Sequence, residues 1–446
     1  MNIYLESLGC ARNQIDSEAM LVQMQRAGWA ITDNPSDADV IVVNTCSFIE
    51  AAAEESIDTI LEFARFKKDG RCRKLVVTGC LPERYREDIA EAMPEVDIFL
   101  GTGAFDRIIH AIDGYPNTSK CILPDPDEIS TDALNADRIR IFRPMSYLKI
   151  AEGCDRHCTY CIIPRLRGRQ KSRPMDNIVS EAQRLLVDGV RELDLVAQDT
   201  TAYGHDLDDG ANLAGLLEKL ARIRISGVRK EDAEFWVRFL YGHPESIDRD
   251  VITTVARNAN ICSYFDIPIQ HASDTVLKRM GRHYGKDSLS RMIDRIRNVV
   301  PDAALRTTVI VGFPGETDKD FDELLAFVEQ AAFTHLGCFT YSDAQDLPSH
   351  RLEGHVPAAI AEARYDELMT LQRQIAGQNN TKYIGKTLPV LVEEEVESGL
   401  YLGRTEFQAP EVDGVTYVRG RDIPAGEFST VKITEVLEYD LAGDMA

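Results

Sequence analysis

The chain has 446 residues, 44% of them hydrophobic and 28% charged, and its formal net charge is −23. This composition is typical of a soluble globular protein with two to four domains, and no apolar run is long enough to cross a bilayer. The acidic balance argues against a broad nucleic-acid-binding surface, which needs positive charge, and fits either a basic partner or simply high solubility.

The N-terminus and the cysteines indicate where the protein works. Residues 1–6 lack the basic segment and the cleavage site of a signal peptide, so we expect a cytoplasmic protein with no membrane partner. Ten cysteines in a cytoplasmic chain point to metal or redox chemistry rather than to disulfides.

Residues 1–118 are predicted to form an N-terminal domain in which strands and helices alternate. The strands are expected at 2–8, 40–44, 75–78 and 98–100, and the helices at 17–27, 48–66 and 83–93. Continuous apolar strands separated by helices predict an α/β domain with a mostly parallel sheet covered on both faces.

Three cysteines of this domain occupy matching positions. Cys10, Cys46 and Cys80 each follow one of the first three predicted strands. Because the carboxyl ends of parallel strands lie along one edge of a sheet, we expect the three thiols to converge there. The alternative, three unrelated small core residues, does not account for the shared position. Cys72 precedes its strand and should lie at the opposite edge.

Residues 119–139 are predicted to be a linker, because Pro124, Pro126 and several aspartates interrupt any apolar period. Strands and helices alternate again over residues 140–375. The strands are expected at 147–150, 192–196, 235–240, 264–269, 305–311 and 336–341. Six strand–helix units are too few for a closed eight-stranded barrel, so they predict an open, partial (β/α)6 barrel with its site at the carboxyl ends of the strands.

The loop after the first of these strands carries three more thiols, Cys154, Cys158 and Cys161. Three close thiolates suit a four-iron cluster in which one iron stays open for another ligand. A structural zinc site would need His157 as its fourth ligand, but this ring lies between two of the cysteines and would have difficulty closing on the same ion. A purely buried role is not typical of three cysteines in eight residues.

The CxxxCxxC spacing, with the aromatic Tyr160 before the last cysteine, resembles the signature of radical S-adenosylmethionine (SAM) enzymes. The resemblance implies that the open iron of a 4Fe-4S cluster holds the amino and carboxylate groups of SAM. It also implies that an electron from a low-potential donor cleaves SAM into methionine and a 5′-deoxyadenosyl radical. Residues 140–375 would then be the radical-SAM core.

The thiol trio ahead of this core narrows the resemblance to the radical-SAM methylthiotransferase family. The residues that carry it are Gly9-Cys10 with Asn13, Asp16 and Glu18, then Asn44-Thr45-Cys46, then Gly79-Cys80. The family implies a second 4Fe-4S cluster on Cys10, Cys46 and Cys80, which carries the inserted sulfur as sulfide or polysulfide. It also implies two SAM molecules, one for the radical and one for the methyl group, and no catalytic residue beyond the clusters.

Polar residues follow several strands of the predicted partial barrel, at the rim where its site should lie. The SAM contacts that we expect are Tyr160, Gln198, Asp199 and Gln270, with Arg306 and Thr308 pointing inward from the fifth strand. The alternative for each of them is a loop cap or a turn residue.

A basic run follows the central thiols: Arg165, Arg167, Arg169, Lys171 and Arg173. Such a run is most often a solvated face. Its place in an otherwise acidic chain also suits an anionic cluster or a substrate carboxylate, because the planar donors of arginine match both.

Residues 376–446 are predicted to form a small five-stranded, OB-like β-barrel, because short apolar runs alternate with turns such as Asp413-Gly414. Position and pattern are similar to the TRAM domain that ends the methylthiotransferase chain. Such barrels often bind RNA. Residues 386–446, however, hold 13 Asp and Glu against five Lys and Arg, a net charge of −8 that repels phosphate.

The methylthiotransferase family implies one of two substrates: an aspartate of ribosomal protein S-twelve in the small subunit, or a modified adenosine in transfer RNA. In the ribosomal protein, the resemblance implies methylthiolation at the aspartate β-carbon. The acidic barrel favours this basic protein over nucleic acid as the primary partner. Segments 196–201, 270–274 and 409–414 also resemble the branch that acts on the ribosomal protein. Two further interpretations stay open: an iron–sulfur assembly or electron-transfer protein, and a radical-SAM enzyme whose N-terminal trio is only structural.

Overall fold

The computed structural model of the protein describes residues 1–117, 119–129, 137–138, 144–224 and 234–446. Residues 118, 130–136 and 139–143, which the prediction assigns to the end of the N-terminal domain, the linker and the start of the radical-SAM core, lie outside the described residues. The chain divides into two compact units. The first unit contains the described residues of 1–141 with 151–157 and 161–173, and the second unit contains those of 142–150, 158–160 and 174–446. The domain boundaries predicted after residues 118, 139 and 375 stay predictions.

The regular elements of the described residues are numbered in chain order. The strands are β1 Asn2–Ser7, β2 Ala30–Ile31, β3 Val40–Thr45, β4 Lys74–Gly79, β5 Ile98–Leu100, β6 Cys121–Ile122, β7 Met145–Lys149, β8 Ala151–Glu152, β9 Lys171–Ser172, β10 Glu192–Val196, β11 Trp236–Phe239, β12 Tyr264–Asp266, β13 Ala304–Val311, β14 His335–Thr340, β15 Thr387–Glu397, β16 Leu400–Arg404, β17 Thr416–Arg419, β18 Phe428–Val436 and β19 Leu441–Met445. The helices are α1 Ala11–Arg26, α2 Glu50–Ala64, α3 Phe66–Asp69, α4 Cys80–Tyr85, α5 Asp88–Ala92, α6 Ile108–Gly114, α7 Ile163–Arg167, α8 Met175–Val187, α9 Leu213–Ala221, α10 Arg249–Arg257, α11 Asp274–Arg279, α12 Lys286–Val299, α13 Asp318–Ala331 and α14 Ala358–Thr381. Within this described part of the chain, no helix combines the length and the apolar content that crossing a bilayer requires.

The first unit is built on a six-stranded sheet in the order β2-β1-β3-β4-β5-β6. Every neighbouring pair runs parallel. Successive residues of β3 point to opposite faces: Val40 and Val42 pack into a core with α1 and α6, whereas Ile41 and Val43 pack into another with α2. Both faces are therefore covered, as predicted, which explains why residues 40–43 of this strand are all apolar.

Three helices of the first unit differ from their predicted bounds. The helix predicted at 48–66 is α2, which spans Glu50–Ala64. The helix predicted at 83–93 is interrupted and becomes α4 and α5, because Arg86 between them has a left-handed φ of 53°. The helix predicted to start at residue 17 is α1, which starts at Ala11. Its first turns were missed because Asn13 and Asp16 are polar yet buried, so no apolar period marks them.

The second unit contains the predicted partial barrel of six parallel strands. One sheet has the order β11-β10-β7 and the other the order β12-β13-β14. Val237 of β11 also forms an isolated parallel bridge with Ile261, just before β12. All pairings within both sheets are parallel, and α8 to α13 lie in the connections between the strands. The carboxyl ends of the six strands therefore share one rim.

The C-terminal segment forms the predicted five-stranded barrel, closed in the order β15-β16-β17-β19-β18. Its neighbours are antiparallel except β17 and β19, which run parallel. Because β18 pairs back with β15, each of the five strands has two partners.

A buried ion network joins the partial barrel to the C-terminal barrel within the second unit. Glu192 of β10 lies between two arginines, 2.7 Å from Arg238 Nη2 and 2.6 Å from Arg404 Nη2. Burial raises the pKa of Glu192, but the charges of Arg404 and Arg238 outweigh this effect and keep the pKa below its ordinary value. The neighbouring Asp194 differs, because burial and the charge of Glu192 raise its pKa well above the ordinary value.

His271, which follows β12, is a fully buried imidazole. Its Nδ1 accepts a hydrogen bond from the Ser273 N–H (2.9 Å), and its Nε2 lies 3.9 Å from Glu316 Oε2. Burial lowers the pKa of His271 from 6.5 to about 3; the negative charge of Asp320 opposes this change, and the positive charge of Arg364 adds to it. The ring is therefore neutral in the folded protein at neutral pH.

Replacing His271 by glutamine should flatten the pH dependence of stability below pH 6.5. In the wild type, the unfolded chain binds a proton at this histidine below pH 6.5 while the folded chain does not, so the contribution of His271 to stability falls as the pH drops. The slope from this one group approaches about 1.4 kcal/mol per pH unit. Urea unfolding midpoints from about pH 5 to about pH 8 measure it. The two proteins should run parallel above pH 6.5, and parallel curves below that pH would contradict the prediction.

Candidate functional site

Cys10, Cys46 and Cys80 lie at one edge of the sheet in the first unit. Cys10 lies between β1 and α1, Cys46 follows β3 directly, and Cys80 begins α4 directly after β4. Because β1, β3 and β4 are neighbours in the sheet, their carboxyl ends are adjacent. The three thiols are near enough for the charge of one to act on the others. The structure thus brings the N-terminal trio together, and Cys72 lies before β4, at the opposite end.

Two glycines allow these strand ends to approach each other. Gly9 has a φ of 91° and Gly79 a φ of 95°, a region that residues with a side chain rarely adopt. A Cβ atom on Gly9 would lie 2.7 Å from the Cβ of Cys46, and one on Gly79 would lie 2.6 Å from the Thr45 carbonyl oxygen. Glycine is therefore required at both positions for sterics as well as for backbone conformation.

The side chain of Asn13 holds the first two strand ends together. Its Nδ2 donates to the backbone carbonyl oxygens of Leu8 and Thr45, both at 2.9 Å, and the backbone carbonyl oxygen of Asn13 accepts from Asn44 Nδ2 at 2.8 Å. Thr45 Oγ1 in turn donates to the Thr78 carbonyl oxygen at 2.6 Å, which connects the second strand end to the third. The backbone around the trio is thus fixed by polar side chains of the same segments.

Burial divides the basic run that follows the central thiols. Arg165 and Arg169 are exposed, as a solvated face would be, whereas Arg167 and Arg173 are buried. Arg167 Nη2 lies 4.0 Å from Cys80 Sγ. The run therefore supplies one cation directly to the N-terminal trio.

The ionisation of the three thiols depends on burial and on nearby arginines. Burial raises the pKa of Cys10, but the charges of Arg12 and Arg167 outweigh it and bring the pKa below its ordinary value. Burial raises the pKa of Cys46 and raises that of Cys80 to about 12, with Arg167 opposing in both cases. Arg167 is thus a charge that acts on all three sulfurs.

The central thiols lie in a loop without regular secondary structure between β8 and α7, as predicted. Cys154 and Cys161 belong to the first unit and Cys158 to the second. In the first unit, the Cys154 N–H donates to the Gly168 carbonyl oxygen (3.0 Å), and Cys154 Sγ accepts from the Arg156 N–H (3.4 Å). Among the residues that the structure describes, no three His, Cys, Asp or Glu side chains are grouped closely enough to hold a single metal ion.

In the second unit, residues 158–160 are attached to the segment after α11. The Thr159 N–H donates to the Met280 carbonyl oxygen (3.0 Å). The hydroxyl oxygen of Tyr160 accepts from Arg282 Nε (3.2 Å) and Nη2 (2.5 Å), and the Tyr160 ring meets Phe313 edge-on with centroids 6.2 Å apart. Tyr160 is therefore firmly held, and its role as a SAM contact stays a prediction.

Gln198, Asp199 and Gln270 lie at strand ends of the partial barrel, as predicted. Asp199 caps the turn after β10, because its Oδ1 accepts from the Ala202 N–H at 3.2 Å. Gln270 has a left-handed φ of 68°, and its N–H donates to the Thr308 carbonyl oxygen at 2.9 Å. Asp199 therefore acts as a cap within the chain, which is the alternative role given above. The contacts of Gln198, Asp199 and Gln270 with SAM stay predictions.

Arg306 and Thr308 of β13 contact each other, with 3.4 Å between Arg306 Nη1 and Thr308 Oγ1. Arg306 also pairs with two carboxylates, Asp266 at 2.8 Å and Asp413 at 3.3 Å. Its guanidinium is therefore already neutralised by the chain itself. Whether the pair contacts SAM stays a prediction.

Sequence reasoning missed the carboxylates that engage the buried arginines. Asp266 lies inside a predicted apolar strand, and a charged residue there signals a buried partner. Glu152 lies just before the central thiols, and Asp413 was noted for a turn and for the resemblance of segment 409–414, not as a partner of an arginine. Glu152 and Arg167 are 15 positions apart, and Asp266 and Arg306 are 40 apart, so no helical or strand period reveals the pairs.

Models of three known families match the chain: "Uncharacterized protein family UPF0004" at residues 2–101, the radical SAM superfamily at 148–328 and the TRAM domain at 384–445. The chain is 52% identical over 448 residues to the "Ribosomal protein uS12 methylthiotransferase RimO" of Desulfosudis oleivorans, and the match covers 100% of both chains. It is 45% identical over 449 residues to the protein of the same name from Clostridioides difficile, covering 100% of this chain and 99% of that one.

Among solved structures, the fold is similar to that of TsrM from Kitasatospora setae, a radical SAM methyltransferase solved with cobalamin and a 4Fe-4S cluster. The TM-score is 0.58 at 14% identity, over 78% of this chain and 77% of that one, so this likeness concerns the fold alone. The identity to the two curated relatives is much higher and extends over the full length. The chain therefore belongs to the radical-SAM methylthiotransferase family, in the branch of the ribosomal protein uS12 methylthiotransferases.

Proposed function

We propose that the enzyme replaces a hydrogen on the β-carbon of an aspartate in uS12, the ribosomal protein called S-twelve above, by a methylthio group. The observation that carries this proposal is the 52% identity to a uS12 methylthiotransferase along the whole of both chains. The reaction forms a carbon–sulfur bond at an unactivated C–H bond, which has neither useful acidity nor a leaving group. Acid–base side chains therefore do not suffice, and cofactor chemistry is needed.

The N-terminal trio suits the sulfur-donating cluster of this reaction. Cys10, Cys46 and Cys80 would supply three thiolates to one 4Fe-4S cluster and leave one iron open for sulfide or polysulfide. Their position at three adjacent strand ends, and the buried Arg167 beside them, support this assignment.

The central trio suits the radical-generating cluster. Cys154, Cys158 and Cys161 would hold a second 4Fe-4S cluster, and the SAM contacts would be Tyr160, Gln198, Asp199, Gln270, Arg306 and Thr308. When bound, these groups supply a carbon radical that removes the hydrogen, the sulfur that replaces it, and a methyl group from a second SAM, with the electron coming from a low-potential donor. The chain's own residues bind and orient these groups, and we assign no further catalytic side chain.

The charge of the C-terminal barrel supports a basic protein as substrate. Residues 386–446 carry a net charge of −8. Glu394, Glu395 and Glu397 of β15 are exposed, so part of this charge faces solvent. Such a surface attracts a ribosomal protein and repels the phosphates of transfer RNA.

The test offers the reconstituted full-length enzyme three substrates under reducing conditions with SAM and sulfide: isolated uS12, the small ribosomal subunit and transfer RNA. Mass spectrometry should find methylthio-aspartate on uS12, free or in the subunit, and no methylthiolated nucleoside. A uS12 variant with alanine at the modified aspartate is the control and should stay unmodified. Methylthiolation of transfer RNA alone would replace the proposal by a transfer RNA methylthiotransferase.

Replacing Gly9 by alanine should displace Cys46 and reduce the iron held by the N-terminal trio. At a φ of 91° an alanine costs about 1–2 kcal/mol, and its Cβ would also collide with the Cβ of Cys46. Gly28→Ala is the matched control, because Gly28 has a φ of 80° but the described residues place no atom within 4 Å of its Cβ. Iron analysis and urea unfolding separate the two effects. Both variants should lose stability and only Gly9→Ala should lose iron; equal iron contents would contradict the prediction.

A further inference from the structure

Arg167 is a buried arginine placed against the N-terminal trio. It is the last residue of α7, and only 3% of its side chain is exposed. Burying a guanidinium costs several kcal/mol of folding free energy unless it is paired and hydrogen-bonded. The partners of Arg167 therefore indicate the role of its charge. All the partners given below lie in the first unit.

Two partners of Arg167 are carboxylates and a third is an amide. Nη1 donates to Asp16 Oδ2 at 2.9 Å and to Glu152 Oε2 at 3.2 Å, and Nη2 donates to Asn13 Oδ1. Asn13 and Asp16 lie in the first turns of α1, the helix that begins after the first thiol, and Glu152 ends the strand before the central thiol loop. One guanidinium therefore joins the segments that lead to both thiol trios.

The fourth partner is a thiol of the trio itself. Arg167 Nη2 lies 4.0 Å from Cys80 Sγ, a long contact for a donor and a sulfur, and Cys80 is only 5% exposed. Asp16 and Glu152 together carry more charge than the single positive charge of the guanidinium. Pairing with these two carboxylates would therefore not by itself require Arg167 to contact a sulfur. The planar fork directs one nitrogen to the carboxylates and the other to the amide and the sulfur, which the point charge of a lysine does not do.

We propose that Arg167 is a positioning residue for the cluster of the N-terminal trio, and that its charge and its donor at the Cys80 sulfur raise the reduction potential of that cluster. The inference rests on the proposed function, which assigns a cluster to Cys10, Cys46 and Cys80. Reduction adds negative charge to a cluster. A nearby cation and a hydrogen bond to a ligand sulfur stabilise that added charge, and both are known determinants of cluster potentials.

The experiment measures the N-terminal cluster alone in the full-length chain. Alanine at Cys154, Cys158 and Cys161 removes the central cluster, and the chain is reconstituted anaerobically with iron and sulfide. A reductive titration followed by electron paramagnetic resonance then gives the potential of the remaining cluster. The same titration is made with Arg167→Gln, Arg167→Lys and Arg169→Gln added separately. Arg169 is the matched control, since it follows Arg167 by two residues and has a side chain that is 85% exposed.

Arg167→Gln should shift the potential to more negative values, Arg167→Lys should shift it less because the charge remains, and Arg169→Gln should leave it unchanged. Loss of the cluster from a folded Arg167→Lys variant, with Arg169→Gln retaining it, supports the proposal equally. If Arg167→Gln does not fold, Arg167→Lys alone decides. Potentials and iron contents equal to those of the parent in both Arg167 variants would overturn the inference and leave the proposed function standing. A parent chain that binds no cluster would overturn the proposed function, and the inference with it.

Discussion

Replacing Cys10, Cys46 and Cys80 together by alanine should abolish methylthiolation of uS12 and leave the reductive cleavage of SAM intact. The three thiols lie at adjacent strand ends, and their loss removes every cysteine ligand that we assign to the sulfur-donating cluster. Even the loss of an outer partner of a metal ligand costs 10–100-fold, so we expect a loss of more than about 100-fold. Mass spectrometry of uS12 and chromatography of 5′-deoxyadenosine measure the two activities, and the iron content should fall by about half.

Two further variants make this result specific. Cys72→Ala removes a buried thiol that lies before β4 and donates its Sγ hydrogen to the Lys74 carbonyl oxygen (3.3 Å). This variant should keep both activities. Alanine at the three central cysteines should abolish both. Methylthiolation that survives in the N-terminal triple variant would mean that this trio does not donate sulfur. Loss of SAM cleavage in a folded triple variant would mean that the two activities are not separable in this way.

Replacing Arg404 by methionine should destabilise the second unit by about 3–5 kcal/mol, the usual cost of breaking a buried ion pair. Arg404 Nη2 lies 2.6 Å from Glu192 Oε2, Nε donates to Glu393 Oε1 at 2.8 Å, and Nη1 donates to the Gln408 carbonyl oxygen at 3.0 Å. Methionine fills much of the same volume but satisfies none of these groups. Glu192 would lose one of its two arginine partners among the described residues and keep Arg238 at 2.7 Å.

Fluorescence offers a local measurement of this loss. Trp236 of β11 packs edge-on against Phe428 of β18, with centroids 4.7 Å apart, so it reports on the packing between the barrels. The chain has two tryptophans, and replacing Trp29 by phenylalanine leaves Trp236 as the single probe. Urea unfolding of Arg404→Met in this background should show a much lower midpoint for Trp236.

Arg419→Met is the matched control in the same small barrel. Arg419 Nε lies 2.9 Å from Asp444 Oδ1, but both side chains are about half exposed. A solvent-exposed pair contributes roughly 0–1 kcal/mol, so this variant should unfold nearly as the wild type does. Similar losses in both variants would contradict the claim that burial makes the Arg404 network important.

The strands of both α/β regions could be predicted because buried parallel strands leave a local signal. Val40 to Val43 form a continuous apolar run, since each face of the first sheet has its own core. Weaker signals were missed: β2, β6, β8 and β9 have only two residues each, and β19 reads Leu-Ala-Gly-Asp-Met, without a regular apolar alternation. Their pairing depends on neighbours distant in the chain rather than on local composition.

The convergence of the N-terminal thiols was also predictable, because strand order and strand end together fix where Cys10, Cys46 and Cys80 lie. The placement of Arg167 was not. Its residue type indicated only that one arginine of the run could face an anionic group. Which arginine lies against the thiols depends on Asp16 and Glu152, and three-dimensional packing alone brings these residues together with Arg167.

The position of β19 between β17 and β18 has a consequence for shortened forms of the chain. A chain ending at Asp440 would leave those two strands with rows of unpaired N–H and C=O groups. Open rows of this kind pair with other molecules, which leads to strand exchange and aggregation. The last strand therefore protects the protein against self-association as well as completing its fold.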